Sequence, residues 1–186
     1  MNLLKKLDKH FAAAAAATVV ASGAQAAIVY SGVVNISIPL NVDGVYLNLV
    51  NGATGTSGAS TAGWDINPYG SSSLTWFLPS NPASSFGLVR GLGSSTTQVD
   101  NLFGTDYLIA ATGTPAPNYG AGTNQTSGTT AFIFNSSNNI VGLRFWNEAT
   151  SQINYGWMRL SFSAGFNTTR SIVEYAYEDS LSLIHI

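Results

Sequence analysis

Two segments near the C-terminus of this 186-residue chain, residues 154–163 and 171–178, constrain its fold most strongly. Along the first segment, one set of residues alternates with another: Gly156, Met158, Leu160 and Phe162 with Tyr155, Trp157, Arg159 and Ser161. A period of two is typical of a β-strand with two different faces. We therefore predict that the first set faces the core and that the second set forms an amphipathic outer face.

Shorter apolar segments recur along the rest of the chain, separated by stretches rich in Gly, Ser, Thr and Asn. Alternation predicts a strand at residues 34–38, and the Asp43–Gly44 turn signal predicts that it forms a hairpin with residues 45–50. Other predicted strands are residues 64–66, 74–78, 107–110, 130–134 and 140–146, with a turn at residues 67–70. No helical period is long enough to bury a face. The pattern favours an all-β fold, namely an antiparallel β-sandwich or jelly-roll-like single domain.

Residues 1–26 are predicted to be an export signal rather than part of the domain. Lys5, Lys6 and Lys9 form a positive start, and residues 11–20 form an apolar run too short to cross a bilayer. Ala24 and Ala26 are the small residues that a signal peptidase reads, which places the cut before Ala27. An Ala-rich N-terminal helix is the alternative. The signal predicts a protein that is secreted or held at the outer cell surface, with a mature domain at residues 27–180.

Charge and cysteine content limit what a mature chain can bind. Beyond residue 26, four arginines stand against eight acidic side chains, which gives a net charge of −4. Nucleic acids and anionic membranes both require a basic surface, so neither is an expected partner. The chain has no cysteine and must be held together by its core, for which about 150 residues suffice.

Motifs at both ends of the predicted domain resemble those of bacterial PEP-CTERM surface proteins. They are residues 28–32 (IVYSG), 141–145 (VGLRF), 154–160 (NYGWMRL) and 172–179 (IVEYAYED). The resemblance implies export, processing by an exosortase, and association with exopolysaccharide and the biofilm matrix. The chain departs from the family pattern after Asp179, because no Pro–Glu–Pro motif, C-terminal membrane helix or arginine cluster follows.

The last six residues, 181–186 (LSLIHI), have the sequence that a transposon-end adaptor used in DNA library preparation would encode. We expect them to be an assembly artefact, and we expect the natural reading frame to end near Ser180. A natural apolar terminal strand is the alternative. If the six residues are an artefact, membrane attachment would depend on a sorting tail that is missing from this sequence.

Catalytic motifs are missing from the predicted domain. Histidine occurs only at His10 and His185, and no lysine or cysteine follows residue 26, so a Ser/His/Asp triad, a Cys/His pair or a histidine zinc site is not expected. Glu174 and Glu178 lie about 13 Å apart along one strand, which is too far for a standard glycosidase pair. We therefore predict a protein that is not an enzyme. A secreted carbohydrate-active enzyme (a glycoside hydrolase or lyase) is the alternative, and it would need two carboxylates facing each other in a groove.

Exposed aromatic residues are the remaining candidates for a binding site. Aromatic rings stack on sugars, and the candidate ligand-binding residues are Trp64, Tyr69, Trp146, Tyr155, Trp157 and Arg159. Packing in the core is the other interpretation of the rings. Asp43 and Asp65 are candidate ligands for calcium, the one cofactor that the sequence suggests, although Asp is also an ordinary turn residue. The expected function is that of a cell-surface or matrix protein that binds extracellular polysaccharide weakly.

Overall fold

A computed structural model describes residues 27–80, 82, 85–91, 98–110, 118–120, 124–127, 131–180 and 184–185. The predicted export signal lies outside this range. The described residues form one short 3₁₀ turn, Gly58–Ser60, and fourteen strands. The strands are β1 (Ile28–Tyr30), β2 (Ile36–Ser37), β3 (Tyr46–Leu47), β4 (Thr54–Gly55), β5 (Asn67–Tyr69), β6 (Thr75–Phe77), β7 (Gly87–Leu88), β8 (Gln98–Val99), β9 (Leu108–Ile109), β10 (Asn124–Ser127), β11 (Ser136–Asn147), β12 (Gln152–Phe162), β13 (Arg170–Glu178) and β14 (Ile184–His185).

The largest sheet is built on three long consecutive strands, β11, β12 and β13, which pair antiparallel. β7 pairs with β11 at one edge, and β1 and β2 both pair with β13 at the other. A smaller sheet has the order β5-β6-β10-β8, in which β10 and β8 are parallel and the other pairs antiparallel. β3 pairs with β4. β9 pairs with β14, and β14 lies within the suspected artefact, residues 181–186.

The main core lies between the two sheets and confirms the predicted all-β sandwich. Leu74, Trp76 and Val99 come from the smaller sheet and its flanks, and Val141 and Met158 come from the larger one; all five are fully buried. The predicted core set of β12 is confirmed, since Gly156, Met158, Leu160 and Phe162 are buried. Burial of apolar area on this scale is the dominant stabilising term for a chain without disulfides.

A second, smaller cluster covers part of the opposite face of the large sheet. Val89, Leu102, Tyr107 and Ile109 lie there over Tyr155, outside the main core. The close approach depends on Gly142 of β11. A Cβ atom at that position would lie 2.8–3.0 Å from the side chains of Val89, Ile109 and Leu102. The large sheet therefore has apolar cover on both faces, at least over this part.

Four local predictions are wrong. Residues 64–66 do not form a strand, because only Ile66 takes part in a bridge, with Leu47. Residues 34–38 and 45–50 do not form a hairpin, because β2 pairs with β13 and β3 pairs with β4. Residues 67–69 are strand β5 rather than a turn, and Pro68 is tolerated because β5 is an edge strand. Residues 131–134 are not a strand, and the strand predicted at residues 140–146 begins earlier, because β11 starts at Ser136.

Arg170 connects the two sheets at one end of the sandwich. Its side chain is only 2% exposed. The guanidinium donates hydrogen bonds to five backbone carbonyl oxygens, those of Ile38, Pro39, Gly70, Ser73 and Phe166. These acceptors belong to the segment after β2, the β5–β6 turn and the β12–β13 loop, so one side chain joins three segments that are distant in sequence. Burial lowers the pKa of Arg170 from its ordinary value.

Candidate functional site

Two of the predicted aromatic residues, Trp64 and Trp146, line one cavity of about 270 Å³ together with Phe86 and Glu148. We call it the tryptophan cavity. Trp64 follows the turn after the 3₁₀ segment, and Trp146 lies near the end of β11. Both rings are half-buried, so each is anchored in the protein while part of it faces solvent. Both residues were candidates from the sequence alone, but no sequence signal placed them in one cavity.

Neighbouring rings hold Trp64 in place. Its ring stacks on Phe77 with centroids 5.2 Å apart, and Tyr46 meets it edge-on at 4.8 Å. Gly58 leaves room on another side, because a Cβ atom there would lie 2.5 Å from Trp64 Nε1. A ring fixed in this way loses little conformational entropy when a ligand stacks on it, which favours binding.

Glu148 enters the cavity from the turn between β11 and β12. Asn147 shapes this turn, since its side-chain oxygen accepts hydrogen bonds from the backbone N–H groups of Ala149 and Thr150. The exposed Glu148 carboxylate approaches Gly63, where a Cβ atom would lie 2.7 Å from Oε1 and where φ is +64°. Both the left-handed backbone and the close approach require glycine at position 63. No hydrogen bond or salt bridge occupies the Glu148 carboxylate within the described residues.

Two further cavities continue from the tryptophan cavity. The next, of about 310 Å³, shares Gly63 and Glu148 with it and is also lined by Asn51. The third, of about 250 Å³, shares Asn51 with the second and ends at Tyr30 of β1. Because each cavity shares lining residues with the next, the three lie side by side in a row along the surface, from the two tryptophans to β1. We call this row of cavities the groove.

A buried carboxyl group lies close to the groove but does not line it. Asp65 is 2% exposed, and its Oδ2 accepts a 2.7 Å hydrogen bond from the Leu49 N–H group. Its Oδ1 has no hydrogen-bond partner in the described part of the chain. Burial, with a smaller contribution from the Glu148 charge, raises the pKa of Asp65 to about 8. Asp65 is therefore mostly protonated at neutral pH, and a cation that bound it would have to displace that proton.

Asp43, the other predicted calcium ligand, occupies a turn. The side-chain oxygen of Asn41 accepts hydrogen bonds from the N–H groups of Asp43 and Gly44, and the Asp43 carbonyl accepts one from Asn67. No group of three or more His, Cys, Asp or Glu side chains suited to a metal ion occurs among the residues that the structure describes. Calcium binding stays a prediction.

The remaining predicted site residues lie elsewhere. The expectation that Tyr155 is exposed is wrong: it lies on the predicted outer face, but the second cluster covers it and leaves it 6% exposed. Trp157, on the same face, is half-buried between Ala176 and Gly142 on the adjacent strands. Tyr69 of β5 donates a 3.0 Å hydrogen bond to Asn124 and does not line the groove.

Arg159 is engaged in the one salt bridge found among the described residues. Its Nε donates to Glu174 Oε1 at 2.7 Å, and the Tyr30 hydroxyl donates to the other carboxylate oxygen at 2.5 Å. The hydrogen bond from Arg159 is the main reason that the pKa of Glu174 lies below its ordinary value. This arrangement fixes β1 on β13 and leaves Glu174 unsuited to act as a free catalytic base.

Sequence reasoning did not single out Glu148, which looked like an ordinary exposed charge in a loop. Its position two residues after Trp146 is the only sequence signal that could have drawn attention to it.

Comparison with protein-family models finds no match, and comparisons with curated proteins and with solved structures find no significant similarity either. Within the described residues, no helix is long and apolar enough to cross a membrane.

Proposed function

We propose that the mature chain is a secreted, non-catalytic protein of the cell surface or extracellular matrix that binds polysaccharide weakly in the groove. The observation that carries this proposal is the meeting of Trp64, Trp146 and the unpaired Glu148 carboxylate in one cavity. Aromatic faces stack on the apolar faces of sugar rings, and a carboxylate accepts hydrogen bonds from their hydroxyl groups. One site thus offers both kinds of contact.

The shape of the groove favours a chain of sugars over a single sugar. Three cavities in succession, with Asn51 and Glu148 between them, offer contacts to several consecutive units. Each cavity is at or below the lower end of the range usual for small-molecule sites, about 300–1,000 Å³, so we expect weak binding per unit. Many weak contacts along a polymer suit a matrix component, because multivalency raises the overall affinity.

Export and attachment are part of the same proposal. The signal pattern of residues 1–26 supports secretion, and β1 starts at Ile28, one residue after the first residue of the predicted mature chain. Processing by an exosortase, and association with a biofilm matrix, rest on the PEP-CTERM resemblance alone.

One observation favours the alternative, a carbohydrate-active enzyme. Asp65, a buried carboxyl group whose pKa is raised, lies near a second carboxyl group, that of Glu148, and glycosidases pair two carboxyl groups. However, Asp65 lines none of the three cavities and one of its oxygens is bound to Leu49. An acid that cannot reach the substrate cannot protonate a leaving group, so we favour binding over hydrolysis.

Polysaccharide binding is tested by affinity electrophoresis of the exported protein in gels that contain a neutral glucan, chitosan or alginate. We expect retardation by the first two and little by alginate, whose carboxylates would be repelled by Glu148. Trp146→Ala and Glu148→Gln should each weaken retardation several-fold, because a few central side chains carry most of the binding free energy. Trp157→Ala is the matched control outside the groove, and the folded variant should show unchanged retardation.

Two outcomes would count against the proposal. Equal loss of retardation in Trp157→Ala and Trp146→Ala, with both variants folded, would exclude the groove as the site. Release of new reducing ends from any of the three polysaccharides, abolished in Glu148→Gln, would support the enzyme instead.

A further inference from the structure

The N–H group of Ala27 lies directly against a carboxylate. Ala27 N donates a 2.9 Å hydrogen bond to Asp179 Oδ1, and the Asp179 N–H group donates a 3.1 Å hydrogen bond to the Ala27 carbonyl. The two residues continue the antiparallel register in which Ile28 faces Glu178. Ala27 therefore pairs with Asp179, the residue directly after the end of β13.

Other charged groups nearby are already engaged. Glu178, the next residue, accepts hydrogen bonds from the N–H and hydroxyl groups of Ser180. Glu174, further along β13, is bound to Arg159 and Tyr30. β1 contributes no charged side chain. Asp179 is thus the carboxylate directed at Ala27.

The predicted processing step acts on the same nitrogen. Hydrolysis of the Ala26–Ala27 peptide bond adds water: the hydroxyl group goes to the Ala26 carbonyl carbon, and a proton goes to the Ala27 nitrogen. The amide thereby becomes an amine that is protonated below a pH of about 8. A neutral donor that already lies 2.9 Å from a carboxylate oxygen becomes a cation at the same place.

We propose that cleavage before Ala27 completes an N-terminal latch, in which the new α-ammonium group forms an ion pair with Asp179 and fixes β1 on the edge of the large sheet. This inference rests on the export part of the proposed function. Charge-assisted hydrogen bonds are shorter and stronger than neutral ones, so processing strengthens a contact that the fold has already arranged.

Beyond its backbone pairing with β13 and the Tyr30–Glu174 hydrogen bond, β1 has few contacts that hold it, so a latch would add to them. β1 is three residues long and lies at the edge of its sheet, and Ile28 and Tyr30 are more than half exposed. Little apolar burial therefore holds it. β1 also supplies Tyr30 to the wall of the third cavity, so a loose β1 would open the far end of the groove.

The test uses the full 186-residue chain, exported from a bacterial host and purified after processing. Intact mass should show Ala27 as the first residue. Nuclear magnetic resonance titration should give an α-ammonium pKa above the ordinary value of about 7.7–8.0, and Asp179→Asn should return it to that range. Since the folded pKa is the higher one, the added stability is present below pH 8 and is lost as the pH rises through the folded pKa.

A matched control displaces the ammonium group without changing the domain. Two serines inserted between Ala26 and Ala27 leave the cleavage motif intact and move the new N-terminus away from Asp179. At pH 6.5 the unextended protein should have an unfolding equilibrium constant roughly two- to five-fold smaller than the extended one, which is the range for exposed ion pairs. In the Asp179→Asn background the two should be equal.

Cleavage at another bond, or an α-ammonium pKa unaffected by Asp179→Asn, would overturn the latch. Equal stability of the extended and unextended proteins at pH 6.5 would do the same. None of these results depends on glycan binding, so the latch and the polysaccharide site fail independently. Loss of binding with an intact latch would refute only the site.

Discussion

The five carbonyl contacts of Arg170 lead to a prediction that differs from what its charge alone would suggest. Arg170 has no carboxylate among the acceptors described above, whereas Arg159 has a 2.7 Å salt bridge to Glu174. We expect Arg170→Leu to destabilise the protein far more than Arg159→Leu. The difference lies in burial, because Arg170 is 2% exposed and the Arg159 side chain is 26% exposed.

The expected loss of stability in Arg170→Leu follows from the five carbonyl oxygens that would lose their donor. Each buried carbonyl that loses its donor costs about 1–3 kcal/mol. The full sum over five carbonyls is not reached, since water enters at the ones that are only partly buried, and leucine regains some apolar packing. We expect a loss of about 3–5 kcal/mol from a total stability of about 5–15 kcal/mol. Arg170→Lys keeps the charge but has three donors, and should lose about half as much. Arg159→Leu should cost about 0.2–1 kcal/mol.

Urea unfolding followed by tryptophan fluorescence measures all three variants. With a slope of about 2 kcal/mol per molar urea, Arg170→Leu should lower the midpoint by about 1.5–2.5 M, and Arg159→Leu by less than about 0.5 M. Adding 1 M NaCl should weaken the effect of Arg159→Leu and leave that of Arg170→Leu unchanged, because salt screens exposed pairs most. Equal midpoints for the two leucine variants would refute the reasoning.

Two more predictions concern the buried groups. Since the pKa of Asp65 is raised to about 8, ionisation of Asp65 opposes folding, and the stability should fall as the pH rises from about 4 to about 8. Urea midpoints measured across that pH range show this slope, and Asp65→Asn should remove it. A slope that persists in Asp65→Asn would assign it to another group. Gly142→Ala should lower the stability by about 1–3 kcal/mol, because the added methyl group overlaps Val89, Ile109 and Leu102. Gly104→Ala is the control for backbone strain alone, since the space around Gly104 is open but its φ is +77°. Thermal melts compare the two variants.

The features that could be predicted from the sequence are those that depend on local periodicity. The alternation in β12 identified which residues face the core, and Met158 and Leu160 are fully buried. Periodicity distinguishes the two faces of a strand but does not show what lies over them. Tyr155 was therefore placed on the correct face and wrongly taken to be exposed, because the second cluster comes from a segment more than forty residues earlier in the chain.

Local sequence signals could not predict the long-range pairing of strands for the same reason. A turn signal at Asp43–Gly44 suggested a hairpin with β2, but the partner of β2 is β13, at the other end of the domain. Arg170 and Glu148 were missed because neither belongs to a motif. The first acquires its role from carbonyls in three separate segments, and the second from two tryptophans brought together by the fold.

The pairing of the first described strand with the last long one has a consequence for the time at which the protein can fold. The contact between Ala27 and Asp179 spans 152 residues, and β1 and β2 both need β13 as their sheet partner. A ribosome makes β13 last among these, so the N-terminal strands have no partner for most of synthesis. Long-range pairing of this kind is slow to form. We expect the large sheet to stay incomplete until almost all of the chain has been made, and a domain that has not completed its main sheet is easier to thread through a narrow channel.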